Sequence, residues 1–133
     1  MTVERKSGTL NLLVGLVVGG RQTVIALDED GPWTGLSRID GRTAEQNETA
    51  YKGRLLIQDK ESVLLCSIRK TGVALTVDGR RIFDWKGEAS RLSKNPATAL
   101  RRPDVLYLSA GRSQYHVKQM ILVPLSGEGK RLR

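Results

Sequence analysis

Val73-Ala74-Leu75-Thr76-Val77-Asp78-Gly79-Arg80-Arg81-Ile82-Phe83-Asp84-Trp85 is the stretch that decides the fold: two runs of strand-like residues joined by Asp-Gly. Glycine accepts φ > 0 without steric cost and aspartate tolerates it. The dipeptide therefore favours the tight hairpin turn whose twist matches that of the flanking strands. A two-residue loop sets Val77 against Arg80 and Leu75 against Ile82, which sends Phe83 and Trp85 to the opposite side of the sheet. A longer loop with a bulge would change that register.

The same pattern extends outward from the hairpin. Period-two alternation and short apolar runs bounded by Gly, Asp and Asn recur along the chain, and no window holds a 3.6-residue period. Strands are expected at residues 2–6, 9–18, 22–28, 54–57, 62–69, 72–77, 80–85, 104–110 and 115–123. Nine short strands predict an all-β domain, an antiparallel two-sheet β-sandwich. The 133 residues, 39% of them hydrophobic, suit one domain with one core. Two segments read as irregular, 28–52 and 87–103, and such long loops are where a ligand site is expected. Asn47-Glu48-Thr49 fits the N-glycosylation triplet.

The most apolar run, residues 10–18, is far shorter than the roughly 20 residues a membrane-spanning helix needs. Arg5 and Lys6 before it and Gly19-Gly20 after it outline a secretory leader. The strand reading explains it better, because Leu10, Leu12, Val14, Leu16 and Val18 alternate with Thr9, Asn11, Leu13, Gly15 and Val17.

Lys and Arg number 22 against 14 Asp and Glu, a net charge of +8. That balance favours anionic partners. The basic pairs, Arg69-Lys70, Arg80-Arg81, Arg101-Arg102 and the tail Lys130-Arg131-Arg133, are scattered rather than massed, which reads as a solvated surface. No helix-turn-helix, RNA-recognition or zinc-finger signature appears, so nucleic acid is not the expected partner.

Cys66 is the only cysteine, which excludes an internal disulfide and a thiolate metal cage. It lies in the apolar run 63–68 and reads as a small buried thiol. His116 is the only histidine and supports neither a metal site nor a triad. Asp28-Glu29-Asp30 reads as a strand end leading into a Gly31-Pro32 turn rather than as a catalytic or calcium-binding motif. No catalytic centre, metal site or cofactor is expected.

Aromatic side chains make the best ligand case, since sugar rings stack on their faces while polar neighbours fix hydroxyls. Trp33, Tyr51, Trp85, Tyr107 and Tyr115 are candidates, with Asp84 between Phe83 and Trp85 as a polar partner sharing a face with Ile82 and Val73. Tyr107 is expected in the core, and Trp33 or Trp85 partly accessible. Trp85 is the sharpest case: a stacking platform if its face is open, a core side chain if both faces are covered.

Three segments together carry a family likeness: residues 72–82, then Asp84-Trp85-Lys86-Gly87 with Ser90-Arg91-Leu92-Ser93, then 106–129 with Leu106-Tyr107-Leu108, a last strand from His116 to Leu125 and Gly127-Glu128-Gly129. This arrangement, over roughly residues 8–130, resembles the bacterial concanavalin A-like, or laminin G-like, domains. Related domains are known as 3-keto-disaccharide hydrolases. The resemblance implies a jelly-roll sandwich, a bias towards carbohydrate and a role as a module of a larger protein. Such domains usually carry a further strand ahead of the segment matching residues 2–6. A shortened member or fragment is therefore expected, with a sheet edge near residues 2–6 open to self-association. The functional expectation is a non-catalytic binding or interaction module for carbohydrate. The alternatives are a polyanion-binding β domain and a glycan-active enzyme domain.

Overall fold

The Asp78-Gly79 turn forms as a two-residue hairpin, both residues at positive φ (48° and 80°), in a computed structural model that describes residues 1–126. The Gly127-Glu128-Gly129 ending and the basic tail after it lie outside the described residues. The strands are β1 (Thr2–Gly8), β2 (Leu12–Val18), β3 (Arg21–Glu29), β4 (Trp33–Leu36), β5 (Arg38–Ile39) and β6 (Arg42–Thr43). They continue as β7 (Tyr51–Lys52), β8 (Glu61–Arg69), β9 (Gly72–Val77), β10 (Arg80–Lys86), β11 (Tyr107–Ala110) and β12 (Ser113–Gln119). Two antiparallel five-stranded sheets, in the orders β10-β9-β8-β1-β12 and β11-β2-β3-β4-β7, make the expected all-β sandwich, with β5-β6 a small hairpin beside them.

The inner faces of the two sheets supply one core. Val3, Leu64, Leu75, Phe83 and Trp85 come from the first sheet, and Leu12, Val14, Leu16, Ile25, Leu27 and Leu36 from the second. The second sheet is also covered outside, where Leu13, Val24 and Ala26 pack with Tyr107. Gln22 fastens that cover by accepting from the Leu100 N–H at 3.0 Å and donating to the Arg102 carbonyl at 3.2 Å, while the Tyr107 hydroxyl donates to the Thr98 carbonyl at 2.7 Å. Coverage on both sides explains why β2 reads as an almost continuous apolar run. At Gly15 a Cβ would stand 2.0 Å from the Tyr107 ring, so only glycine lets that ring lie on the strand.

Four sequence expectations are corrected. Segment 28–52 is not a bare loop: it carries β4 to β7, each two to four residues long and held by pairing rather than by composition. Residues 54–57 form no strand. The strand ends also move, with 104–110 shrinking to β11 and 115–123 shifting to β12. Finally, β1 is no edge, because β8 and β12 flank it on either side. The premise for self-association through residues 2–6 is thereby lost.

The hairpin register departs from the expected one at a single residue. Val77 faces Arg80 as expected, but Ile82 is bulged out and Leu75 faces Phe83. The bulge has a physical cause, since the uninterrupted register would aim Asp84 at the core and two aromatic rings at solvent. With one residue looped out, Phe83 and Trp85 turn inward and Asp84 turns outward.

Candidate functional site

The sequence candidates Trp33, Asp84, Trp85 and Tyr115 do not meet. Trp85 is 3% exposed and belongs to the core, so its face is not an open platform. Asp84 is not buried with Val73: its side chain is 48% exposed and pairs with Arg81 at 3.0 Å. Tyr115, on β12, is half-buried, with its hydroxyl donating to the Leu10 carbonyl at 3.0 Å and the Arg5 guanidinium 5.5 Å from its ring centre. Trp33 begins β4 in the other sheet, half-buried, with the Lys52 ammonium 5.4 Å from its ring centre. Tyr107, expected in the core, is half-buried against the smaller outer cluster.

Trp33 opens onto a cleft built from several elements, about 200 Å³ in volume and separate from the clefts that Asp84 and Trp85 line. Glu29 and Asp30 come from the end of β3, Thr43 and Glu45 from β6 and the turn after it, and Asn95 from the segment following β10. The pairing of Glu29 with Trp33 across β3 and β4 sets the acid beside the indole. Burial raises the Glu29 carboxyl above its ordinary pKa, and the charges of Asp30 and Glu45 push it the same way, with no cation opposing them. The Thr43 hydroxyl is buried without a partner among the described residues. Among those residues no three His, Cys, Asp or Glu side chains converge as a metal centre would require. The cleft thus offers an aromatic ring and uncompensated acceptors.

A second cleft, about 550 Å³, lies between Asp40, Arg42, Gln46, Glu48 and Arg91. Three of its four charges answer one another. Arg91 reaches Asp40 at 2.8 Å and Glu48 at 3.0 Å, and the Trp85 indole N–H donates to Glu48. Arg91 first, then Trp85, holds the Glu48 carboxyl below its usual range. This network fastens the Ala89–Arg91 3₁₀ turn over the end of the core. A third cleft, about 330 Å³, lies on the outer face of β8 to β10 and is lined by Arg69, Arg81, Lys86 and Asp84.

Neither of two further sequence features supplies a reactive group. Burial pushes the Cys66 thiol up to about 11, away from a nucleophile's thiolate. Asn47 is buried with its amide occupied: it donates to the carbonyls of Leu36 (2.7 Å) and Thr43 (2.9 Å) and accepts from the Thr49 N–H (2.9 Å) and hydroxyl (2.6 Å). The triplet 47–49 is therefore a structural clasp for the loop before β7. Sequence reasoning missed Glu45, Thr43 and Asn95 because they come from separate elements with no motif joining them; only Glu29, two residues from Gly31-Pro32-Trp33, carried a local signal.

Compared with known protein families, with curated proteins and with solved structures, the chain matches none.

Proposed function

We propose that the domain is a non-catalytic carbohydrate-binding module whose Trp33 cleft takes a single sugar unit. The carrying observation is the placement of the Trp33 ring beside Glu29, Asp30, Glu45 and Asn95. Sugar hydroxyls donate well to carboxylates and amides, and a ring's C–H face packs on an indole. The likeness to concanavalin A-like domains points the same way, and the two-sheet sandwich is compatible with it. A cleft this small implies a weak, terminal-residue or single-unit site.

A titration of labelled protein with neutral oligosaccharides, followed by amide NMR, tests the reading. Shifts confined to residues 29–33, 43–45 and 95, lost in Trp33→Ala at unchanged fold, are the expected result. Sugars that shift nothing, or that bind Trp33→Ala as well as the parent, overturn it. Consumption of the sugar would replace the binding module with an enzyme. The groove of Arg69, Arg81 and Lys86 supports a second reading, polyanion binding. Affinity for heparin and DNA alike that falls steeply with salt would mark it.

A further inference from the structure

The chain holds 22 Lys and Arg against 14 Asp and Glu, so a carboxylate in it rarely lacks a cation. Thirteen of the acids are described, and eight of them pair with Lys or Arg at 2.6–3.1 Å. Of the five that do not, Glu29, Asp30 and Glu45 share the Trp33 cleft. Like charges gathered without a counter-ion disfavour one another's ionisation. Glu29 records it: burial first, then Asp30 and Glu45, hold its carboxyl above the ordinary value. Groups kept in that state are characteristic of sites completed by a ligand. Ser37 lines the same cleft, is only 7% exposed, and its hydroxyl has no hydrogen-bond partner among the described residues. The Trp33 ring already attracts one cation, the Lys52 ammonium at 5.4 Å, and Lys52 is not part of the cleft lining.

We propose that the Trp33 cleft selects a sugar carrying a primary ammonium, an amino sugar that is not acetylated. This rests on the carbohydrate reading above and narrows its ligand. A primary ammonium brings one positive charge and three N–H donors on a compact head. Bonded to Glu29, which stands beside the indole, it makes a charge-assisted hydrogen bond while the ring face attracts the same charge. Its charge also answers Asp30 and Glu45. A neutral hydroxyl leaves all three carboxylates uncompensated, and a quaternary ammonium has no N–H to give them. The three acids do not converge as a metal centre requires, which suits a cation carried on an organic ring rather than a bare ion. Asn95 serves the rest of the sugar: its side-chain oxygen accepts from the Ala97 N–H at 3.1 Å, which leaves its NH2 donors for a hydroxyl.

Three β-1,4-linked tetrasaccharides that differ only at the second carbon provide the test: cellotetraose, the N-acetylglucosamine tetramer and the glucosamine tetramer. Each is titrated into the full chain at about pH 6 by calorimetry, with amide NMR locating the site. The glucosamine tetramer is expected to bind at least about tenfold tighter than the other two, shifting residues 29–33, 37 and 43–45. A chain of net charge +8 repels a polycation elsewhere, so general attraction does not imitate this result. Asp30→Asn with Glu45→Gln alters two exposed positions and is expected to abolish the preference, at an unchanged melting temperature and with cellotetraose bound as before. Cellotetraose binding as tightly as the glucosamine tetramer overturns the inference and leaves the carbohydrate reading standing. Binding of none of the three overturns both. A preference that survives the double variant, or ethylammonium binding the cleft as tightly as the glucosamine tetramer, also overturns the inference.

Discussion

The Arg5 guanidinium meets the Asp28 carboxylate at 2.9 Å inside the sandwich, tying β1 of one sheet to β3 of the other, with both side chains buried. Asp28 sits where the pairing of β3 with β4 slips, at φ 54°, and its carboxylate also accepts the N–H groups of Leu55 at 2.8 Å and Leu56 at 2.9 Å. A buried charge is tolerable when its neighbours supply this many donors. Removing one partner strands the other, at a cost of about 3–5 kcal/mol. Arg5→Met and Asp28→Ala should both destabilise on that scale in chemical denaturation, Asp28→Ala more, because it also orphans two backbone donors. The double replacement should cost less than the sum of the two.

Trp85 and Asp84 are neighbours in sequence with opposite fates, and their variants should differ accordingly. Trp85→Ala empties a core position and frees Glu48 from its indole partner, for a loss of about 3–5 kcal/mol. Asp84→Ala breaks one exposed ion pair and should change stability by no more than about 1 kcal/mol. Thermal melts of the two variants against the parent decide the register. Equal effects would contradict the bulge at Ile82.

Glu29 gives the Trp33 cleft a pH signature. Its carboxyl titrates above the ordinary 4.5 in the folded chain because burial, Asp30 and Glu45 all disfavour its charge. The folded state therefore holds that proton more tightly than the unfolded one, and stability from this group is lost as pH rises from 4.5 through the raised value. Glu29→Gln should accordingly stabilise the fold at neutral pH, with the gain vanishing below pH 4.5. Paired denaturation curves at pH 4 and pH 7 check it, and a gain of equal size at both would refute the assignment.

Asn47→Ala should loosen the segment between β6 and β7. The carbonyls of Leu36 and Thr43 lose their shared donor, and each buried group left unpaired costs about 1–3 kcal/mol. Asn47→Asp fares no better, since a carboxylate presents lone pairs to the same two carbonyls. Faster amide exchange through residues 43–52 in both variants is the measurement. Unchanged exchange there would mean the amide is dispensable.

The local character of a signal decided whether the sequence alone could carry it. The Asp78-Gly79 turn, the antiparallel all-β class and a strand within 9–18 follow from φ preferences and period-two patterning, which depend on residues a few places apart, whereas Cys66, expected buried, is only half-buried. The bulge at Ile82 does not, because what selects it is the core that receives Phe83 and Trp85 from across the sandwich. The same holds for the central place of β1, set by β8 about sixty and β12 over a hundred residues away. The two-residue strands in 38–52 have no patterning of their own and exist through their partners. The Trp33 cleft draws on residues from 29 to 95, and only the tertiary structure brings Glu29, Thr43, Glu45 and Asn95 around one ring, since chain closure over such distances leaves no trace in local spacing.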